Sequence, residues 1–224
     1  MKSPRIVTID GPAGSGKTTV ARMLARRLRW RWLESGSLYR AFTWLVLFLE
    51  PELLKAEPSS VANFLKKHLP HFRFEVSEQG LFLSFQGRPL REELRLPEVE
   101  ARVSDVAAMA EVRSLVNEIL RRLAREGPVV AEGRDMGTVV FPEASAKFYL
   151  TASAEVRAKR RLRDWQARGL SLSWEEVLAS LQARDQKDSS RKTAPLSIPE
   201  GAYVIDTSLK TPEEVLEEIL SRLP

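Results

Sequence analysis

The sequence predicts an α/β protein with a mainly parallel, doubly wound sheet, and three observations support that fold class. Short apolar runs typical of buried strands alternate with longer segments in which apolar residues recur every three to four positions. A glycine-rich loop joins the first apolar run to the first helical segment. Two alternating strands near the middle of the chain break this order, and we interpret them as a small inserted antiparallel sheet.

The first elements are a strand, a loop and a helix. Residues 6–10, IVTID, form an apolar run of the kind found in buried strands. The following loop, GPAGSGKT, matches the pattern G-x-x-x-x-G-K-[ST]. Behind it, Val20, Leu24 and Leu28 recur every four residues, which predicts one buried face of a helix.

That loop predicts a binding site for nucleotide phosphates. Glycines let the backbone curl so that successive N–H groups point into one concavity, and the helix that begins there adds its positive dipole end. Lys17 can reach the outer phosphates, and the Thr18 hydroxyl can coordinate Mg²⁺. The predicted phosphate-binding residues are Gly11, Pro12, Ala13, Gly14, Ser15, Gly16, Lys17, Thr18 and Thr19.

The next segments predict a strand at residues 30–33, an apolar helix and then the insertion. Leu38, Phe42, Leu45 and Leu49 form the predicted apolar stripe of that helix. Apolar and polar residues then alternate on both sides of the turn SEQG, which predicts a hairpin. We assign about residues 60–97 to the inserted sheet.

The second half returns to alternating helices and strands. One long helix is predicted from about residue 98 to 125, and buried strands are predicted in VVAEG, AKFYLTA and AYVIDT. Three further helices have predicted N-terminal caps at Ser153, Ser173 and Thr211, and the first of them is expected to end at about Arg168, before Gly169.

Composition narrows the class of protein. The chain has 224 residues, 43% of them hydrophobic, and it has no cysteine, which excludes disulfides and thiolate metal sites. The longest apolar run is far too short to span a bilayer. We expect a soluble, cytoplasmic monomer that does not bind membranes.

The net charge of +5 raises the alternative of nucleic-acid binding. The excess is unevenly placed, because residues 154–192 hold ten Lys and Arg against six Asp and Glu. A GTP-dependent switch is disfavoured because the motifs D-x-x-G and N-K-x-D do not occur. A helicase or motor ATPase is normally longer, so the size favours a kinase of a small molecule.

The remaining motifs resemble the bacterial cytidylate kinase family over essentially the whole chain. They are IDGPAGSGKTT, LESGSLYRA, EGRDMGTVVFPEASAKFYLTASAEVRAKRR, RDQKDSSR and APL, in this order. Two positions depart from the family pattern. Thr18 follows the loop lysine where members often have Gly, and Glu34 stands where Asp is usual.

The resemblance implies Mg²⁺-dependent transfer of the ATP γ-phosphate to CMP or dCMP. It implies a single P-loop kinase domain with a core (about 1–34, 126–153 and 192–224), a CMP-binding part that carries the inserted sheet (about 35–125) and a helical lid (about 154–191). The partners would be ATP and CMP or dCMP, without nucleic acid. A kinase of UMP, AMP or a hydroxy acid is the alternative, and a basic nucleic-acid-binding P-loop protein is a more distant one.

The same resemblance implies roles for individual residues. Lys17, Arg134, Arg184 and Arg191 would be catalytic, and Arg157 and Arg161 of the lid would bind ATP. The implied CMP-binding residues are Ser35, Arg40, Ser104, Arg113, Arg134, Asp135, Arg184, Asp188 and Arg191. Arg40 and Arg134 follow predicted strands, at the edge where α/β folds build sites, and the planar guanidinium suits phosphate oxygens.

Recognition of the base needs a different arrangement. Cytosine offers an N4 amine donor beside an N3 acceptor, and uracil reverses both. By the resemblance, Asp135 would accept from N4 and Arg113 would donate to N3 and O2, with Ser104 on the same face of the long helix as Arg113. Asp188 would bind the ribose hydroxyls. Asp10 and Glu132 are further candidates for groups near Mg²⁺.

Overall fold

A computed structural model describes residues 5–167, 169, 171–191 and 193–223 of the chain. The strands are β1 (Ile6–Asp10), β2 (Arg31–Glu34), β3 (Phe72–Ser77), β4 (Gly80–Phe85), β5 (Arg88–Leu90), β6 (Val129–Gly133), β7 (Ala146–Thr151) and β8 (Tyr203–Asp206). The α-helices are α1 (Lys17–Leu28), α2 (Ser35–Leu49), α3 (Pro58–His68), α4 (Pro97–Ala108), α5 (Ala110–Ala124), α6 (Ala154–Gln166), α7 (Trp174–Ser190) and α8 (Pro212–Leu220). They accompany a five-stranded and a three-stranded sheet, which confirms the predicted α/β class.

The chain divides into two compact units. The first consists of Arg5 with Ala25–Ala131 and contains helices α2 to α5 and the small sheet. The second consists of Ile6–Leu24 and the described residues from Glu132 onward, and it contains β1, β7, β8 and helices α6 to α8. No helix in the described part of the chain is long and apolar enough to cross a bilayer.

Parallel strands form the sheet of the second unit. β1 pairs with β7 so that Ile9 lies opposite Phe148, and β7 pairs with β8 so that Thr151 lies opposite Asp206. All five residues of β1 are buried, as its continuous apolar character predicts. Because parallel strands end at the same edge, the loops that follow β1, β7 and β8 all leave the sheet on one side.

Helix ends in the second unit follow the local sequence signals. The Ser153 hydroxyl accepts a hydrogen bond from the Val156 amide, and Ser173 forms a reciprocal capping box with Glu176. Helix α6 ends at Gln166, and Gly169 follows with a φ of 75°. The predicted end at Arg168 lies outside the described residues.

The first unit contains the predicted apolar helix and hairpin, but each differs from its prediction in one respect. Leu38, Phe42 and Leu45 of α2 are buried, whereas Leu49 is 40% exposed, so the predicted stripe is wrong at its last residue. Strands β3 and β4 pair antiparallel around the turn, as predicted, and β5 adds a third strand that we did not predict. The first residues assigned to the inserted sheet belong to helix α3 instead.

The long helix predicted for residues 98–125 is wrong, because the segment forms two helices. Met109 between α4 and α5 has φ −73° and ψ 119°, an extended conformation. Val106 and Val112 on either side of it are both fully buried. Six positions apart on one continuous helix, they would point about 120° apart, so the break allows both side chains to reach the core. Ser104 and Arg113 therefore lie on different helices and do not share one helical face.

Candidate active site

The P-loop between β1 and α1 has the backbone that its glycines allow. Gly11, Gly14 and Gly16 have φ values of 149°, 76° and 87°, which residues other than glycine rarely adopt. A Cβ added at Gly11 would collide with the backbone carbonyl of Leu150. Such turns expose successive N–H groups on one side, and α1 begins directly after them at Lys17. The loop therefore fits the phosphates of a nucleotide.

Lys17 is buried at the start of α1 and lies within a cluster of charged groups. Its Nζ donates a hydrogen bond of 2.9 Å to the carbonyl of Pro12. Burial lowers the pKa of Lys17 well below its usual value, and the nearby guanidinium groups of Arg134 and Arg184 lower this pKa further. The carboxylates of Glu132 and Asp188 oppose that shift. A bound polyphosphate would supply the negative charge that this cluster favours.

The side chains of Thr18 and Glu132 meet beside the P-loop. The Thr18 hydroxyl donates to Glu132 Oε1 at 2.9 Å. Hydroxyl and carboxylate oxygens are ligands that Mg²⁺ accepts, so the predicted metal ligand fits the group. Among the described residues, no cluster of three or more His, Cys, Asp or Glu side chains could hold a metal ion.

Asp10, at the end of β1, is buried, and its carboxylate binds backbone amides. Its carboxylate accepts hydrogen bonds from the amides of Met136 at 2.8 Å and Gly137 at 2.7 Å. Burial raises the pKa of Asp10 to about 6, and the two backbone amides partly counter this shift. The carboxylate thereby fixes the π-helical turn Met136–Val140, which directly follows Arg134 and Asp135.

A cleft of about 430 Å³ opens beside the P-loop within the second unit. Its lining includes Arg160, Arg161 and Lys210 in addition to the P-loop and the first turn of α1. Arg161, one of the two lid arginines predicted to bind ATP, thus lies at the cleft, with its guanidinium over the ring of Trp165. Arg157, the other, does not line it, because its guanidinium binds Ala13, Ala152 and Asp185.

Helix α7 contributes the acidic and basic residues that complete the cluster. Asp188 is buried and accepts from Arg134 Nε at 3.1 Å, while Arg191 Nη1 lies 3.7 Å from its other carboxylate oxygen. Arg184 is close enough to lower the pKa of Lys17. The structure therefore brings Lys17, Arg134 and Arg184 together, and it places Asp188, predicted to bind ribose, in ion pairs with arginines.

The predicted CMP-binding residues of the first unit occupy defined positions. Arg40 lies 3.3 Å from Glu100 and 3.9 Å from Glu34, so two carboxylates hold its guanidinium. A Cβ at Gly36 would lie 2.9 Å from Arg40 Nη1, so the Arg40 guanidinium packs closely against this glycine. Ser35, the first residue of α2, is buried.

Arg113 is not a surface residue of α5. It is 2% exposed, its Nη1 donates to the Ala107 carbonyl at 3.0 Å, and its guanidinium lies over the ring of Tyr39. Ser104 is half-buried on α4. In the second unit, Asp135 is also buried, with 2% of its surface exposed. The structure thus buries both residues that were predicted to read the base.

Sequence reasoning missed Thr207, and it did not single out Arg160 among the arginines of the predicted lid. Arg160 donates to both the hydroxyl and the carbonyl of Thr207, and the Thr207 hydroxyl lies 3.0 Å from the carbonyl of Ser15. Arg160 stands in an arginine-rich run in which spacing alone does not separate one side chain from the next. Thr207 follows β8, and its role depends on the pairing of β8 with β7, which no local motif encodes.

Comparisons with known proteins identify the family of this chain. The family model described as cytidylate kinase matches residues 7–224. A cytidylate kinase of Carboxydothermus hydrogenoformans is 42% identical over 214 residues, covering 96% of this chain and 95% of the relative. One of Chlamydia felis is 45% identical over 217 residues, covering 96% of each. An uncharacterized protein from Eubacterium ventriosum has a similar fold, with a TM-score of 0.51 at 13% identity and 97% coverage of both chains. This chain belongs to the cytidylate kinase family.

Proposed function

We propose that this protein transfers the γ-phosphate of ATP to CMP or dCMP, which gives ADP and CDP or dCDP. The observation that carries the proposal is the cluster beside the P-loop, in which buried Lys17 lies near Arg134 and Arg184. Cations at this position suit a reaction in which negative charge spreads over a transferring phosphoryl group. Membership of the cytidylate kinase family supports CMP as the acceptor.

Transfer is direct and in line, without a covalent intermediate on the enzyme. Lys17 contacts the outer phosphates of ATP, and Arg134, Arg184 and Arg191 stabilise the phosphoryl group between donor and acceptor. The Lys17 pKa, lowered in the free protein, rises when phosphate oxygens come close, because opposite charge favours the ammonium form. Arg161 at the cleft provides a further contact to ATP from the lid.

We propose that Thr18 binds Mg²⁺ directly and that Glu132 lies near the ion. The 2.9 Å hydrogen bond between them places both oxygens next to the P-loop. Mg²⁺ held by Thr18 would supply positive charge that offsets the negative charge of the phosphates. Asp10 is committed to the amides of Met136 and Gly137, so we propose for it a role in holding Arg134 and Asp135.

For CMP, each predicted contact has a physical basis. Arg40 binds the phosphate, because Glu34 and Glu100 hold its guanidinium in one place. Ser35 and Arg134 add phosphate contacts, and Arg184, Asp188 and Arg191 contact the ribose and the phosphate. Asp135 accepts from cytosine N4, and Arg113 donates to N3 and O2, with Ser104 as an additional hydrogen-bonding group.

Different regions of the chain would bind ATP, bind CMP and form the lid. We propose that residues of about 1–34, 126–153 and 192–224 form the ATP-binding core and that those of about 35–125 serve CMP. Residues of about 154–191 serve as the lid. Helices α6 and α7 of the lid pack around an apolar cluster of Ala158, Val177 and Leu181, which gives their arginines a rigid support.

The test is ADP release measured with a panel of monophosphates. CMP and dCMP should support turnover in the presence of ATP and Mg²⁺, whereas UMP and AMP should support far less. Preference for UMP, AMP or a hydroxy acid would replace the proposed acceptor but keep the ATP site. No turnover with any acceptor, together with no binding of ATP, would reject the kinase itself.

A further inference from the structure

Three successive carbonyls of the P-loop accept hydrogen bonds from side chains that lie outside the loop. Arg157 Nη1 donates to Ala13 O at 3.1 Å, and Arg160 Nη1 lies 3.5 Å from Gly14 O. The Thr207 hydroxyl lies 3.0 Å from Ser15 O. Because a trans peptide points its C=O and the next N–H in opposite directions, these anchors orient the amides of Gly14 and Gly16 to the other side.

Of these anchors, Arg157 makes the widest set of contacts. It is 7% exposed, and its Nε donates to Ala152 O at 3.0 Å, while its Nη1 contacts Asp185 Oδ2 at 2.6 Å. One guanidinium thus joins the end of β7, the P-loop and helix α7. The other oxygen of Asp185, Oδ1, is buried and has no hydrogen-bond partner in the described part of the chain.

Close packing restricts the movement of Arg157 toward the nucleotide side of the loop. A Cβ added at Gly14 would lie 3.0 Å from both the Cβ and the backbone carbonyl of Arg157. The residue therefore packs directly against the back of the loop, and it does not line the cleft where Arg160 and Arg161 lie. A buried ion pair in this position suits a structural partner of the loop better than a contact to ATP.

We propose that Arg157 and Asp185 are positioning residues for nucleotide binding. The Arg157–Asp185 ion pair fixes the carbonyl of Ala13, and this orientation keeps the P-loop amides available to phosphate oxygens. The inference rests on the proposed function only in that the P-loop binds a nucleotide polyphosphate. Neither residue touches the nucleotide, so neither is catalytic.

The direction in which neutralising Asp185 changes nucleotide affinity shows whether Asp185 acts by positioning Arg157 or through its own charge. A carboxylate near a polyphosphate repels it, so neutralising Asp185 should strengthen ATP and ADP binding if only its charge mattered. If Asp185 acts by holding Arg157, the same change loosens the P-loop and weakens binding. The two mechanisms therefore predict opposite changes in affinity.

The experiment is calorimetric titration of the full chain with ADP and with ATP in Mg²⁺. Asp185→Asn and Arg157→Ala should each weaken both nucleotides by a similar factor, on the order of tenfold, as expected for a lost charge-assisted hydrogen bond. Arg157→Lys keeps the charge but cannot reproduce the forked contacts, so it should also weaken binding. Glu52→Gln is the control, because Glu52 forms an exposed ion pair with Lys55 in the first unit that involves no P-loop residue, and its neutralisation should leave binding unchanged.

The proposal requires a change in the dissociation constant. A variant that is only unstable would show fewer binding sites per chain, while its folded fraction would keep the wild-type affinity. Asp185→Asn that binds ADP as tightly as the wild type, or more tightly, would overturn the proposal. So would Arg157→Ala that loses affinity for ATP alone, since that pattern indicates direct contact with the γ-phosphate. If Asp185→Asn does not fold, Arg157→Lys decides, and wild-type affinity in that variant overturns the proposal. A wild-type protein that binds neither nucleotide would instead reject the proposed function.

Discussion

Lys17 is a buried cation whose immediate neighbours include two other cations. Burial together with Arg134 and Arg184 lowers its pKa, and Glu132 and Asp188 only partly compensate. The free protein therefore holds a site that is electrostatically unfavourable until negative charge arrives. Perturbed ionisation of this kind is common where a protein prepares a site for a charged ligand.

Replacing Lys17 tests this residue directly. Lys17→Ala should retain the fold, because removal of a buried cation relieves repulsion from the two arginines. Turnover of CMP should fall by about a hundredfold or more, because the Lys17 ammonium that stabilises the oxygens of the transferring phosphoryl group is lost. Steady-state kinetics and circular dichroism check both parts, and near wild-type turnover would show that the ATP site is elsewhere.

Asp10 predicts a pH dependence of stability. Its folded pKa of about 6 lies above the usual 3.8, so the protonated carboxyl is favoured in the folded state. The resulting contribution is present below about pH 4 and is lost as the pH rises through 6. From pH 4 to 7, the free energy of unfolding should fall by about 2–3 kcal/mol relative to an Asp10→Asn variant. Urea titrations of both proteins across this range would measure it, and parallel pH profiles would contradict it.

Secondary-structure elements differ in how far their own sequence determines them. The P-loop and the helix caps at Ser153 and Ser173 depend on adjacent residues, and the structure confirms them. The break at Met109 has no glycine or proline to mark it, because its cause is the burial of residues on both sides. Strand β5 was missed for a different reason: its three residues are too few to show an alternating pattern, and they include Pro89, although they pair with neighbouring β4.

The capping box of α7 gives a prediction at this scale. Ser173→Ala removes a hydroxyl that accepts from the Glu176 amide at 3.1 Å, so unfolding should become easier by about 1 kcal/mol. Ser180→Ala, on an exposed position within the same helix, is the control and should be neutral or slightly stabilising. Chemical denaturation compares the two variants, and equal effects would show that the cap does not stabilise α7.

Candidate site residues show the same division between local motif and tertiary context. The backbone of the P-loop was predictable because one motif encodes it, whereas the roles of Arg134 and Arg184, implied by resemblance, stay predictions. The internal partners of Arg157 and the anchoring by Thr207 depend on how β7, β8 and α7 come together in space. No single stretch of sequence carries that information.

Over the whole molecule, positive charge is concentrated in residues 154–192. Arg157 and Arg160 in this stretch donate to carbonyls, a hydroxyl and a carboxylate of the protein itself. Such groups are not available to neutralise the backbone of a nucleic acid. The positions of these two arginines are therefore better explained by their contacts within the second unit.

A gel-shift titration tests that explanation. DNA and RNA oligonucleotides should bind weakly. Their affinity should fall steeply as salt approaches physiological concentration, because binding driven by charge releases counterions from the nucleic acid. The protein at low salt serves as the reference for each oligonucleotide. Tight binding that resists salt would favour the alternative of a nucleic-acid-binding protein.

Choice of the acceptor base tests the proposed function most directly, through kcat/KM for CMP and UMP in the wild type, Asp135→Asn and Arg40→Ala. With UMP, O4 would face Asp135 and N3–H would face Arg113, leaving two polar groups unpaired at about 1–3 kcal/mol each. The wild type should therefore prefer CMP by about tenfold to several thousandfold. Asp135→Asn should shrink the preference mainly by weakening CMP, whereas Arg40→Ala should lower both activities and keep the ratio. Equal use of CMP and UMP by the wild type would contradict the proposed base recognition.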